Sequence, residues 1–130
     1  MSPETRFGMS STFEDDLGQF TPRDQTKCIN RLRRFEQHVR EGMSRQVLRN
    51  IYGLKGLRGR QCKSLGQFST QEIRALSQDV RLVFMDVDRA PTAYWVVAFR
   101  KGNDRDYDRA CQQSITMWDT PHERRPRLRA

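Results

Sequence analysis

Apolar residues recur with two different periods along the chain, and the periods predict helices towards both ends with strands between them. The clearest helical pattern follows Thr21-Pro22, where apolar residues recur every three to four positions: Cys28, Leu32, Phe35 and Val39. This is the spacing of one face of an amphipathic helix. Thr21 suits its N-cap, Pro22 suits its first turn, and Gly42 ends it.

Shorter helices are predicted on either side of this segment. Ser11 and Glu14 have the spacing of a capping box, which predicts a helix from Thr12 to about Phe20. Near the other end, Asn103 suits the N-cap of a last helix from Asp104 to Met117.

The middle of the chain predicts a small sheet. Two nearly continuous apolar runs, Val80 to Val87 and Thr92 to Phe99, predict a central antiparallel pair of strands. A third strand is predicted from Gln71 to Leu76, and residues 6–9 can add a short edge strand. The order of elements predicts an α+β fold, in which two N-terminal helices pack on one face of a small curved antiparallel sheet and a C-terminal helix follows.

Positive charge is concentrated in one segment. Lys and Arg number 24 against 16 Asp and Glu, which gives a net charge of +8. No acidic residue occurs between Gly42 and Gln71, a stretch that holds six basic residues: Arg45, Arg49, Lys55, Arg58, Arg60 and Lys63. A brief helix at residues 45–52 can begin this stretch, but its glycines break any long element and favour an irregular basic loop over residues 45–63. Such an excess is typical of proteins that bind nucleic acid, anionic membranes or acidic proteins.

Length and composition narrow the class of protein. The 130 residues suit one domain, predicted at residues 1–118, with a basic and disordered tail at residues 119–130. No apolar stretch approaches the ~20 residues that span a bilayer, and no apolar leader opens the chain, so we expect neither membrane insertion nor secretion. Three widely spaced cysteines suit a reducing cytoplasm and give no disulfide framework, and no metal-ligand spacing is apparent.

Several basic residues interrupt the predicted strands and their ends: Arg74, Arg81, Arg100 and Lys101. Neighbouring strands lie about 4.8 Å apart, so these side chains can converge on one face into a phosphate-sized site. Arginine suits such a site because its planar fork donates two parallel hydrogen bonds to phosphate. The alternative is that each arginine forms an ordinary ion pair with a nearby carboxylate.

Five short blocks carry a family resemblance: Lys63-Ser64-Leu65, Glu72-Ile73-Arg74, Val80-Arg81-Leu82-Val83-Phe84, Ala98-Phe99-Arg100-Lys101 and Tyr107-Asp108-Arg109-Ala110. In their order the chain resembles the RelE/ParE superfamily of bacterial toxins, particularly its RelE-like and HigB-like branches. The resemblance covers roughly residues 13–117.

The resemblance implies an endoribonuclease that cuts messenger RNA during translation on the ribosome and is held inactive by a cognate antitoxin. The positions that match the family's catalytic residues are Arg74, Arg81, Lys101 and Tyr107. Glu72 occupies a position that is basic in some RelE-like members and acidic in HigB-like ones. RNA binding is expected from the basic side chains around them: Lys55, Arg58, Arg60, Lys63 and Arg100.

These residue types can perform RNA cleavage without a metal or cofactor. The reaction needs a base for the 2′-hydroxyl proton, cations for the charge on the phosphorane, and an acid for the departing 5′-oxygen. Arg74 and Arg81 would stabilise the phosphate, and Tyr107 would stack on a base or transfer a proton. Lys101 or Glu72 would be the partner acid or base. For Tyr107 the alternative is a structural ring at the edge of the core.

Two other functions stay open at this point. A toxin of the ParE type would poison DNA gyrase through a protein contact and would need no catalytic residues. A non-catalytic nucleic-acid-binding module would use the basic loop alone, with the sheet as a scaffold.

Overall fold

The computed structural model describes residues 1–57, 68–87, 92–120 and, for the backbone only, 125–126. The helices are α1 (Ser11–Gly18), α2 (Pro22–Arg40), α3 (Arg45–Tyr52) and α4 (Asp104–Asp119). The strands are β1 (Arg6–Met9), β2 (Lys55–Gly56), β3 (Phe68–Ala75), β4 (Val80–Val87), β5 (Thr92–Arg100) and β6 (Arg125–Pro126). Within the described residues, the six strands form one sheet in the order β2-β3-β4-β5-β1-β6.

The central strands pair as the sequence predicts. β3, β4 and β5 are antiparallel neighbours, which confirms the central hairpin and the α+β class. β1 departs from the prediction of a purely antiparallel sheet, because it runs parallel to β5. Parallel neighbours need a long connection between them, and here three helices and the strands β2, β3 and β4 separate β1 from β5 along the chain.

Two hydrophobic clusters lie on opposite faces of the sheet. On one face α1, α2 and α3 pack around Phe35, Phe84 and Trp95, each 0% exposed. The indole of Trp95 donates a 2.8 Å hydrogen bond to the buried carboxylate of Glu36 on α2. On the other face α4 packs through Met117 against the strands. Both faces of the central strands are therefore covered, which explains their nearly continuous apolar sequence.

The caps of α2 and α4 are those predicted, and the cap of α1 is not. Thr21 Oγ1 accepts a hydrogen bond from Asp24 N at 3.2 Å, and Asn103 Oδ1 accepts one from Arg105 N at 2.9 Å. For α1 the predicted capping residue, Ser11, is wrong by one position. Ser10 takes this place because its hydroxyl both accepts from the first turn and donates to Val96 O on β5, at 2.8 Å.

The brief helix that can begin the basic stretch is present, since residues 45–52 form α3, and the expectation of an irregular loop is wrong for these residues. Ser44 caps the start of the helix, and Gly53 ends it in the left-handed conformation with φ +67°. Leu48 and Tyr52, only 3% and 2% exposed, bury one side of the helix against the core. Burial of these two side chains decides the conformation, and Gly53 ends the helix instead of preventing it.

The remaining boundaries differ from the predictions in detail. β4 has the predicted bounds, whereas β3 begins three residues earlier, at Phe68. In the tail, Arg125–Pro126 pair with Met9 and Gly8 of β1, so the prediction of disorder is wrong for these two residues. The other residues after Thr120 lie outside the described part of the chain.

The described residues show the state of two of the three cysteines and whether any helix could span a membrane. Cys28 is a free thiol, fully buried in the core. Cys111 is also buried and is disulfide-bonded, so the expectation that the cysteines form no disulfide is wrong for it. Cys62 lies outside the described residues. None of the described helices is long and apolar enough to cross a bilayer.

Candidate active site

Strand pairing places four of the predicted site residues on one face of the sheet. Arg74 on β3 is the direct partner of Arg81 on β4, and Lys55 on β2 is the direct partner of Glu72 on β3. Directly paired residues point to the same face, as do residues two apart along a strand. Lys55, Glu72, Arg74 and Arg81 therefore share the face on which α4 packs.

A buried ion pair lies at the centre of this group. Arg81 Nε is 3.8 Å from Glu72 Oε2, and both side chains are 4% exposed. The guanidinium also donates from Nη1 to the carbonyl oxygen of Gln78 at 2.6 Å. Among the described residues, neither the Nε atom of Arg81 nor the Oε2 atom of Glu72 has a hydrogen-bond partner, although both atoms are buried. Buried charged groups are normally hydrogen-bonded, so this pair keeps an unused donor and an unused acceptor at one spot.

Helix α4 brings Tyr107 to the same spot. Its ring packs edge-on against Phe99 of β5, with centroids 5.2 Å apart. Burial raises the pKa of the Tyr107 hydroxyl, the charge of Glu72 raises it further, and hydrogen bonding and charge from Arg81 lower it. The net shift is upwards from 10.0, so the hydroxyl is neutral near pH 7 and can donate a hydrogen bond.

Polar contacts fix α4 to the sheet and to α1. Arg109 Nη1 lies 3.1 Å from Asp16 Oδ2 of α1. On the buried side, Thr70 Oγ1 of β3 donates to Ser114 Oγ at 3.1 Å. These contacts hold Tyr107 over the strands that carry Glu72 and Arg81.

The fold is similar to that of a chain in the crystal structure of the archaeal RelE-RelB complex from Pyrococcus horikoshii OT3. The two chains superpose with a TM-score of 0.52 and 12% sequence identity, over 76% of this chain and 97% of that one. The chain has a RelE-like fold. Neither a protein-family model nor a curated protein matches the sequence. The resemblance drawn from short sequence blocks is thus confirmed for the fold.

The RelE-like fold does not bring all the predicted basic residues together. Arg100 alternates with Phe99, so it points to the face of α1 and α2. There it pairs with Asp24 at 2.8 Å and with Asp79 at 2.6 Å. The expectation that Arg100 joins Arg81 on one face is therefore wrong. Successive residues of a strand point to opposite faces, and the two carboxylates occupy its guanidinium.

The other predicted residues lie at the margin of the cluster or outside the described chain. Lys101 follows β5 and is exposed, with its backbone N–H bonded to Asp79 O at 2.8 Å. Arg58, Arg60 and Lys63 lie outside the described residues. Among the residues that are described, no group of three or more His, Cys, Asp or Glu side chains could hold a metal ion.

The RelE-like fold thus assembles a buried carboxylate, a buried guanidinium and a half-buried, neutral phenol in one cluster. A carboxylate can accept a proton, a phenol can donate one, and a guanidinium can stabilise negative charge between them. Sequence reasoning had named all three residues, but it had not paired Glu72 with Arg81. Glu72 and Arg81 are not direct partners but lie two residues apart across the β3–β4 pair. Their contact can therefore be predicted only when the register of β3 with β4 is known.

Proposed function

We propose that the chain is the toxin of a type II toxin–antitoxin system and that it cuts messenger RNA by metal-independent acid–base chemistry, in the cytoplasm and on the ribosome. The observation that carries the proposal is the meeting of the buried Glu72 and Arg81 with the half-buried Tyr107 in one cluster of a RelE-like fold. The similar archaeal chain comes from a RelE-RelB complex, which supports a cognate antitoxin as the protein partner.

In this proposal Glu72 is the general base. Its carboxylate takes the proton of an RNA 2′-hydroxyl, and the 2′-oxygen attacks the adjacent phosphorus. The bond to the 5′-oxygen breaks, which leaves a 2′,3′-cyclic phosphate on one fragment. The Oε2 atom of Glu72 suits this role because it accepts no hydrogen bond from the residues that the structure describes.

Arg81 and Tyr107 act on the charge that this attack creates. The free Nε–H of Arg81 donates to a non-bridging phosphate oxygen, where negative charge grows as the phosphorane forms. The raised pKa of Tyr107 leaves its hydroxyl protonated near pH 7, so it holds the proton that the departing 5′-oxygen needs. Arg74, opposite Arg81, adds charge next to the same phosphate. To Lys101, exposed beyond the cluster, we assign attraction of the RNA.

Burial sets a condition on catalysis. The Arg81 side chain is 4% exposed, so a phosphate reaches it only if the RNA displaces the side chains that cover it. Exclusion of water from the closed complex then strengthens the interaction of Arg81 with the phosphorane.

Cleavage of a defined messenger RNA by the purified protein tests the proposal, with translating ribosomes, with free RNA, and with EDTA present. We expect the wild type to cut and to leave 2′,3′-cyclic phosphate ends, and Arg81→Ala to cut at least ~100-fold more slowly. Equal cutting by both proteins would refute the assignment of Arg81. Intact RNA together with inhibited DNA supercoiling would favour a gyrase-binding toxin, and RNA that is bound but never cut would favour a non-catalytic module.

The partner is tested separately. A small acidic protein encoded by the neighbouring reading frame should copurify with this chain and suppress the cleavage. If no such protein binds, the toxin–antitoxin assignment is refuted, while the nuclease assignment is unaffected.

A further inference from the structure

A basic pocket lies next to the proposed centre. Its volume is about 610 Å³, and its walls include Arg45 and Arg49 from α3, Lys55 from β2 and Arg74 from β3. The remaining lining residues are two glycines and Leu54. The described residues that line the pocket include no acidic side chain, so all the charges that they contribute are positive.

Among the described residues, none of the four cations takes part in an ion pair, in contrast to Arg81, Arg100 and Arg109. Two are held by neutral side-chain amides. Arg45 Nη1 donates to Gln71 Oε1 at 2.9 Å, and Arg74 Nη1 donates to Gln78 Oε1 at 3.0 Å. Like charges gathered in one pocket repel each other, so an anion bound between them relieves that repulsion.

Gly53 shapes the wall of the pocket. Its φ of +67° is a conformation that other residues rarely adopt, and a Cβ there would lie 2.7 Å from Arg74 Cδ. The arginine stem thus lies directly across the glycine backbone. This contact holds the Arg74 side chain between α3 and the proposed centre.

From this arrangement we infer that the pocket binds phosphates of the RNA strand on one side of the cleaved bond, with Arg45 and Arg49 as new contact residues. The inference rests on the proposed function for its substrate. The pocket adjoins the centre because its Lys55 is paired with Glu72 and its Arg74 with Arg81. An RNA strand whose phosphate lies at Arg81 therefore meets the pocket next.

The lining favours RNA over an acidic protein segment. Protein partners bind best where a buried apolar centre is offered, and the one apolar lining residue, Leu54, is 1% exposed. Guanidinium groups, by contrast, fit phosphate in a bidentate way, and each phosphate contact releases counterions into solution.

The test measures binding of a fluorescent, uncleavable 2′-O-methyl oligonucleotide over a series of salt concentrations. The variant is Arg45→Gln/Arg49→Gln, and its control is Arg23→Gln/Lys27→Gln, which removes the same charge from exposed positions on α2. We expect the variant to bind about tenfold more weakly. Its slope of log affinity against log salt should fall by about 1.4, about 0.7 for each lost phosphate contact. The control should stay within twofold of the wild type.

Unchanged affinity and slope in a variant that folds normally by circular dichroism would overturn the inference. If the double variant fails to fold, Lys55→Gln replaces it, with an expected fall in slope of about 0.7. An oligoglutamate peptide that binds the wild type more tightly than the RNA does, and loses binding in the variant, would assign the pocket to an acidic protein and also overturn the inference.

The two proposals can fail independently. If the wild type never cuts RNA but the variant binds RNA more weakly, the nuclease proposal is refuted and the pocket proposal is supported. If the wild type cuts RNA but the variant binds it as tightly as the wild type does, the pocket proposal is refuted and the nuclease proposal is supported.

Discussion

Replacing Arg81 by methionine would remove the positive charge beside a Glu72 carboxylate that is only 4% exposed. A buried charge left without its partner typically costs about 3–5 kcal/mol of folding free energy. Replacing Glu72 by leucine in the same protein removes the stranded charge and fills its volume with apolar atoms. We therefore expect the Glu72→Leu/Arg81→Met protein to be as stable as the wild type or more stable, although Arg81→Met alone is strongly destabilised.

The geometry of the pair supports this expectation. At 3.8 Å and an effective dielectric constant of about 20, the attraction is about 4 kcal/mol. Against it stands desolvation of several kcal/mol for each ion. Two buried polar atoms without partners, Arg81 Nε and Glu72 Oε2, add about 1–3 kcal/mol each. The pair therefore contributes no net stability, and its presence points to a role other than holding the fold.

Urea unfolding of the wild type, both single variants and the double variant measures these free energies. The fluorescence of Trp95, which is fully buried, serves as the signal. RNA cleavage should be lost in all three variants, including the stable double variant. A double variant that is less stable than the wild type by more than about 3 kcal/mol would contradict this expectation, because the Glu72–Arg81 pair would then make a net contribution to the free energy of unfolding.

Three further predictions concern Gly53 and Tyr107. Gly53→Ala should lower the free energy of unfolding by about 1–2 kcal/mol and weaken RNA binding, because its φ is +67° and its new methyl group would displace Arg74. Gly56→Ala, where the new atom meets open space, is the control in the same urea assay and should change stability by less than about 0.5 kcal/mol. Tyr107→Phe should cut RNA at least ~10-fold more slowly while remaining folded. Since the folded protein raises the pKa of Tyr107 above 10.0, the stability that its proton linkage contributes is complete below pH 10 and is lost as the pH rises through the folded value. The wild type should therefore lose stability faster than Tyr107→Phe above pH 10, and parallel curves would contradict the shift.

Long periodic elements were predictable, whereas short ones depended on tertiary contacts. β4 and the start of α2 follow from an apolar run and from a Thr-Pro start, both local signals. α3 has only eight residues, so its local preference for a helix is weak. Burial of Leu48 and Tyr52 against the core stabilises α3. The local sequence does not predict this burial, because it depends on the position of the core in the folded protein.

The composition of the candidate site was predictable, but its geometry was not. Arg74 and Arg81 were expected on one face, and the register of β3 with β4 makes them direct partners. Arg100 was misplaced because its neighbour Phe99, and not Arg100, lies opposite Arg81. Successive residues of a strand face opposite sides of the sheet, but which of the two faces the site depends on the register of β4 with β5. A β-bulge at Val83 and Phe84 shifts this register, and the sequence does not reveal the bulge.

The central claim is that the Glu72 carboxylate takes part in chemistry instead of only balancing a charge. The most direct measurement is the single-turnover rate of RNA cleavage by the wild type and by Glu72→Gln, which keeps the size of the side chain and removes its basicity. The account predicts that the variant cuts about 10²–10⁴-fold more slowly while binding uncleavable RNA as tightly as the wild type. Equal cleavage rates in the two proteins would contradict it.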